Sequence, residues 1–114
     1  MSIKTSTRTV EGVVIVDIIG QLRLGEGTEV LRTLVHELAG QGYRKMLLNL
    51  ADVRYVDSAG VGELMSCFTS VRGKGGTLKL MNLTKNVRNL LEITKLYTVF
   101  EVTEDEASAI ASFR

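Results

Sequence analysis

The sequence holds little that can be cross-linked or used to coordinate a metal. Cys67 is the only cysteine and His36 the only histidine among 114 residues. An internal disulfide is excluded, and so are the usual zinc spacings, which need several Cys and His side chains at set intervals. An excess of one charge is also missing: 14 Lys and Arg stand against 13 Asp and Glu, with no run of like charges. That balance gives no electrostatic reason to expect nucleic acid or an acidic membrane as a partner. The longest apolar run, Val13 to Ile19, is interrupted by Asp17 and falls far below the ~20 residues of a membrane span. The opening segment MSIKTSTRTV has no apolar core of the signal-peptide kind. These absences lead to the expectation of a cytoplasmic protein without membrane insertion, metal or cofactor. Internal repeats and low-complexity segments are missing too.

What is present is 45% hydrophobic sequence in two alternating periods, enough for one globular domain over residues 1–114. SIKTSTRTV is polar and β-branched and suits an edge strand. VVIVDII and KMLLNL read as buried interior strands, and TLKLMNL and TVFEV complete the set. Between them lie helical patterns. In TEVLRTLVHELAG, Val30, Leu31, Leu34, Val35 and Leu38 share one stripe, ended by Gly40 and Gly42. In SAGVGELMSCFTSVRG the stripe is Val61, Leu64, Met65, Phe68 and Val71, with Cys67 at its margin. TKNVRNLLEITKL contributes Val87, Leu90 and Leu91, and a last helix opens with Thr103 and Glu106 in capping-box spacing. The order β-β-α-β-α-β-α-β-α predicts an α/β domain: a mixed, mostly parallel sheet of about five strands with about four helices. One sheet face should be better covered than the other, because Val14, Val16 and Ile18 oppose a set that includes Asp17.

The segment RYVDSAGVGEL places Ser58 between an aspartate and two glycines, at the carboxyl side of an interior strand, where α/β sheets concentrate their sites. Asp57 or Ser58 fits a helix cap, and Gly60 and Gly62 permit close backbone approach. A nucleophilic Ser58 would need a base, yet His36 lies off its helix's apolar stripe, facing solvent. Tyr55 and Val56 also stand where a nucleophile elbow has Gly-x. A phosphate cradle fails on spacing, since Met65 occupies the position of a third small residue and RGKGGT is a turn. The remaining feature is a row of small side chains, Gly62, Ser66 and Ser70, expected with Glu63 on the outward side of the helix, where another protein could approach closely.

VDSAGVGEL, preceded by a strand and opening a helix, resembles the phosphorylation motif of the STAS domains, specifically the stand-alone bacterial anti-sigma factor antagonists. VVIVDIIGQLRL resembles that family's second strand and following turn, and the element order is similar from Ile3 to the last helix. The resemblance implies a non-enzymatic regulatory protein whose unmodified form binds an anti-sigma factor serine kinase and so releases a sigma factor. The kinase would phosphorylate Ser58 and a PP2C-like phosphatase would restore it. Asp57, Gly60, Val61 and Gly62 match the motif, whereas Ala59 replaces a second hydroxyl and Arg23 stands where relatives commonly have aspartate. The partner surface is therefore expected at Arg23, Asp57, Ala59, Gly60, Gly62, Glu63 and Ser66, on a monomer or at most a weak dimer. STAS domains also serve in stress-sensing assemblies and as components of lipid transporters; a small Ser58-dependent enzyme is the alternative from another class.

Overall fold

The structure is a computed structural model that describes residues 3–114, so Ser2 of the expected first strand lies outside the described residues. Five strands form one sheet: β1 (Ile3–Val10), β2 (Val13–Leu22), β3 (Lys45–Val56), β4 (Thr77–Met81) and β5 (Val102–Thr103). Four helices accompany them: α1 (Glu26–Gly40), α2 (Ser58–Gly73), α3 (Lys85–Ile93) and α4 (Glu106–Ser112). β1 and β2 form an antiparallel hairpin, closed by Glu11 and Gly12 at φ 51° and 80°, the left-handed pair that matches strand twist. Every later pairing is parallel, in the order β1-β2-β3-β4-β5.

That order explains where the helices lie. Each crossover steps one strand further in the same direction, and right-handed crossovers then place their helices on one face. The face holding Val14, Val16, Ile18, Met46, Leu48, Leu78 and Leu80 is accordingly covered by α1, α2 and α3 through Leu31, Val35, Leu64, Val71, Val87 and Leu91. The opposite face, with Val13, Ile15, Leu47 and Met81, is covered by α4 through Ala109 and Ile110. The unequal cover expected of the two faces is thus present. On the α4 side, Lys79 is buried, with Nζ donating to Glu101 Oε2 at 2.8 Å and to the carbonyl and hydroxyl of Ser112 at 2.8 and 2.9 Å.

Several elements differ from expectation. β3 continues past KMLLNL through ADVRYV to Val56. Its outer half pairs with the end of β2, Gln21 opposite Tyr55 and Leu22 opposite Val56, across irregularities in the register. β5 is shorter and later than TVFEV, because Phe100 turns inward and stacks edge-on against Phe68, ring centres 5.4 Å apart. The cap of α4 is Asp105, whose Oδ1 accepts from Ser108 N at 2.7 Å; Thr103 belongs to β5. α1 begins at Glu26, two residues earlier than its pattern suggested.

Candidate functional site

Because Leu22 and Val56 are neighbours in the sheet, the turn after β2 and the junction of β3 with α2 meet at the carboxyl end of these interior strands. Asp57 is the single residue between β3 and α2. It is the cap: its Oδ1 accepts from Gly60 N at 2.8 Å, and its Oδ2 accepts from Leu24 N at 3.1 Å. Those two bonds tie the start of α2 to the turn after β2. The Leu24 and Gly60 amides stabilise the ionised form, so the Asp57 carboxyl is held below its ordinary range against a smaller opposing effect of burial.

Gly60 completes the junction from below. A Cβ built on it would lie 2.1 Å from the Leu22 carbonyl oxygen, so only glycine lets the helix approach β2 this closely. Gly60 is therefore buried as a packing residue, a correction to its expected place on the partner surface. Gly62 is exposed, and a Cβ there meets nothing within 4 Å. No close backbone approach within the chain requires it.

With Asp57 supplying the cap, Ser58 occupies the first helical position and is exposed. Ala59 is half-buried, Gly62 and Ser66 are exposed, and Ser70 is half-buried, so the small-residue row does face outward. Arg23 lies beside this surface, its guanidinium 5.4 Å from the centre of the Tyr55 ring and Nη1 donating to Gln21 Oε1 at 3.1 Å. Two flanking residues add apolar area that sequence reading did not assign: Leu24, 78% exposed, and Tyr55, 48% exposed. The signal for Leu24 was the one aliphatic side chain in the stretch RLGEG that follows β2.

Glu63 does not belong to the outward face, which corrects its expected role. It is buried between α1 and α2, where Arg32 Nη2 and Nε donate to its Oε1 at 2.7 and 3.0 Å. Cys67 is likewise buried within the core rather than at the stripe's margin, and its Sγ donates to Glu63 Oε2 at 3.5 Å. Burial first, and the neighbouring carboxylate second, push the Cys67 thiol up to about 12, which leaves it a poor nucleophile. His36 is exposed on α1, and ten residues of helix from Glu26 carry it roughly 15 Å from the end of α1 that meets this junction. It does not accompany Ser58 as a base.

Among the described residues no group of three or more His, Cys, Asp and Glu side chains is placed to hold a metal. No helix among them is long and apolar enough to cross a membrane. What the junction offers is an exposed hydroxyl on a preformed helix start, flanked by small residues, a cation and two apolar side chains.

The fold agrees with comparisons to known proteins. The anti-sigma-B factor antagonist of Bacillus subtilis (strain 168) is 33% identical over 103 residues, which cover 90% of this chain and 93% of that protein. A crystal structure of a candidate anti-sigma factor antagonist from Thermotoga maritima superposes with a TM-score of 0.87 at 25% identity, covering 95% of this chain and 92% of that one. The unphosphorylated anti-sigma factor antagonist SpoIIAA shares the fold, with a TM-score of 0.82 at 21% identity and coverage of 97% and 96%. These proteins are named as anti-sigma factor antagonists. The family model described as the STAS domain matches residues 4–109, and the chain belongs to the STAS domain family.

Proposed function

We propose that this protein is an anti-sigma factor antagonist switched by phosphorylation of Ser58. Unmodified, it binds an anti-sigma factor serine kinase and thereby releases a sigma factor. The kinase phosphorylates Ser58 and ends the interaction, and a PP2C-like phosphatase reverses the modification. The observation that carries this reading is the division of labour at the start of α2: Asp57 holds the cap and the adjoining turn, while Ser58 is exposed beside them.

Phosphate adds about 1.5 to 2 negative charges at neutral pH. At the first turn of a helix, the amides that have no partner within the helix and the positive end of the dipole favour such a charge. The fold therefore tolerates the modification. The contact does not, because a surface built of Ser58, Ala59, Gly62 and Ser66 suits a closely approaching partner. A dianion there adds bulk and must be desolvated. A differential of about 1.4 kcal/mol already costs tenfold in affinity.

Calorimetry against the anti-sigma factor kinase tests the proposal with four proteins: wild type, Ser58→Ala, Ser58→Glu and enzymatically phosphorylated wild type. The first two should bind tightly and the last two weakly, by tenfold or more for the phosphoprotein, and Ser58→Ala should take up no phosphate. Equal binding by phosphorylated and unmodified protein, or phosphate mapped to another residue, overturns it.

A further inference from the structure

Arg23 is a cation held beside Ser58 by neutral partners. It is exposed in the turn after β2. Its Nη1 donates to the amide oxygen of Gln21 at 3.1 Å, and its guanidinium lies 5.4 Å from the centre of the Tyr55 ring. It forms none of the ion pairs among the described residues. Asp57 is close by, yet both of its carboxylate oxygens accept from backbone amides, Oδ1 from Gly60 N and Oδ2 from Leu24 N.

The same bonds bring Arg23 within reach of a group carried on Ser58. Leu24, the next residue after Arg23, is tied at 3.1 Å to the carboxylate of Asp57, the residue immediately before Ser58. The Asp57 carboxyl is held low first by the Leu24 amide and then by that of Gly60, and the Arg23 charge lowers it further. A phosphate on Ser58 would stand next to that carboxylate, and like charges so close disfavour each other. From the helix side the phosphate meets amides only: Ser58 and Ala59 open α2, and their N–H groups have no acceptor within it. A compensating full charge has to come from the turn after β2. Guanidinium and phosphate form short, charge-assisted bonds through a planar fork, which an exposed ring face and one neutral amide oxygen do not match.

We infer that Arg23 holds the phosphate of phosphorylated Ser58 within the same chain, leaving the Tyr55 ring to do so. The inference rests on the phosphorylation reading above and adds to it how the modified state is kept. Phosphorylation places a dianion on the partner surface and withdraws Arg23 from that surface in the same event. A phosphatase then has to displace the guanidinium to reach the phosphate, so Arg23 prolongs the modified state.

Phosphoserine installed at position 58 during translation of the full chain makes the test independent of the kinase. Phosphorus NMR titrations compare this protein with its Arg23→Gln and Arg72→Gln forms, two exposed substitutions that each remove one positive charge. Arg72 lies in the last turn of α2, roughly 20 Å from Ser58. The phosphoserine step, ordinarily at about 6, should lie lower with Arg23 present than in Arg23→Gln by roughly half a pH unit or more. Arg72→Gln should titrate like the unsubstituted phosphoprotein. The helix amides act in all three proteins, so the difference isolates Arg23. The Arg23 Nε–H signal should also move between unmodified and phosphorylated protein, and a PP2C-like phosphatase should release phosphate faster from Arg23→Gln. Equal titration with and without Arg23, an equal change in Arg72→Gln, or an Arg23 Nε–H signal that phosphorylation leaves in place each overturn the inference; equal release overturns the role of Arg23 in prolonging the modified state. None of these outcomes touches the phosphorylation reading, which fails instead on the calorimetry and phosphate mapping described above.

Discussion

At the scale of single residues, Gly60 and Gly62 stand two positions apart in one helix and answer to different constraints. Gly60→Ala would force a Cβ to within 2.1 Å of the Leu22 carbonyl oxygen and should destabilise the fold by about 3 kcal/mol. Gly62→Ala enters open space and should stabilise α2 by about 0.5–1 kcal/mol. If the partner packs on the small-residue row, the same Gly62→Ala protein binds the kinase more weakly while melting higher. Urea unfolding and calorimetry on the two variants separate these outcomes. The buried pair of Glu63 and Arg32 gives a second contrast. Glu63 is 5% exposed and Arg32 side chain 53%, so Arg32→Ala strands a carboxylate in the core, whereas Glu63→Gln leaves a cation that water can reach. Arg32→Ala should cost about 1–3 kcal/mol and Glu63→Gln less. Urea unfolding of the two variants reads this contrast. Arg23→Asp inverts an exposed charge beside Ser58 and should change the kinase association rate and its salt dependence, with the melting temperature unchanged; equal kinetics at low and high salt for both proteins reduce Arg23 to an ordinary surface residue.

At the scale of elements, Asp57 links two of them. Its carboxyl is held below the ordinary value mainly by the Leu24 amide and also by that of Gly60. A depressed carboxyl contributes stability at neutral pH that is lost as pH falls through its folded-state pKa. Asp57→Ala should therefore cost about 0.5–2 kcal/mol at neutral pH and make the acid limb of the stability profile shallower, as thermal melts across acid pH would show. Amide exchange at Leu24 should also accelerate. The elements themselves were largely legible in the sequence because period-2 and period-3.6 runs are local properties. Val14, Val16 and Ile18 announced a covered face, and Leu31, Val35 and Leu38 a helical stripe. What the periods did not carry were facts set by a distant partner. β3 runs to Val56 because the end of β2 is there to pair with it. β5 shrinks because Phe68 captures Phe100. Glu63 is buried because Arg32, 31 residues earlier, reaches it. Ser58 and Asp57 were legible as a motif, but which of the two caps the helix depended on Leu24 arriving from the other side.

At the scale of the whole molecule, the helical faces find apolar partners within the chain: α1, α2 and α3 on one side of the sheet and α4 on the other. A folded monomer that needs no metal or ligand should result. Light scattering should give the mass of one chain, and the melting temperature should not move on chelation; an obligate dimer, or unfolding with a chelator, would refute this. The docking of α4 adds ion pairs to its small apolar contact: Arg8 Nη2 with Glu106 Oε1 at 2.7 Å, and Arg114 Nη2 with Glu11 Oε1 at 2.7 Å. The strand order has a further consequence. Each strand lies beside the one that precedes it in the chain, from β1 to β5. No later strand has to be inserted between two already paired. A chain emerging from the ribosome can extend the sheet at one edge, strand by strand in the direction of synthesis. Until β4 arrives, the growing edge is β3, whose end leads through Asp57 into Ser58, so the junction of β2, β3 and α2 is assembled before the C-terminal third of the protein has been made.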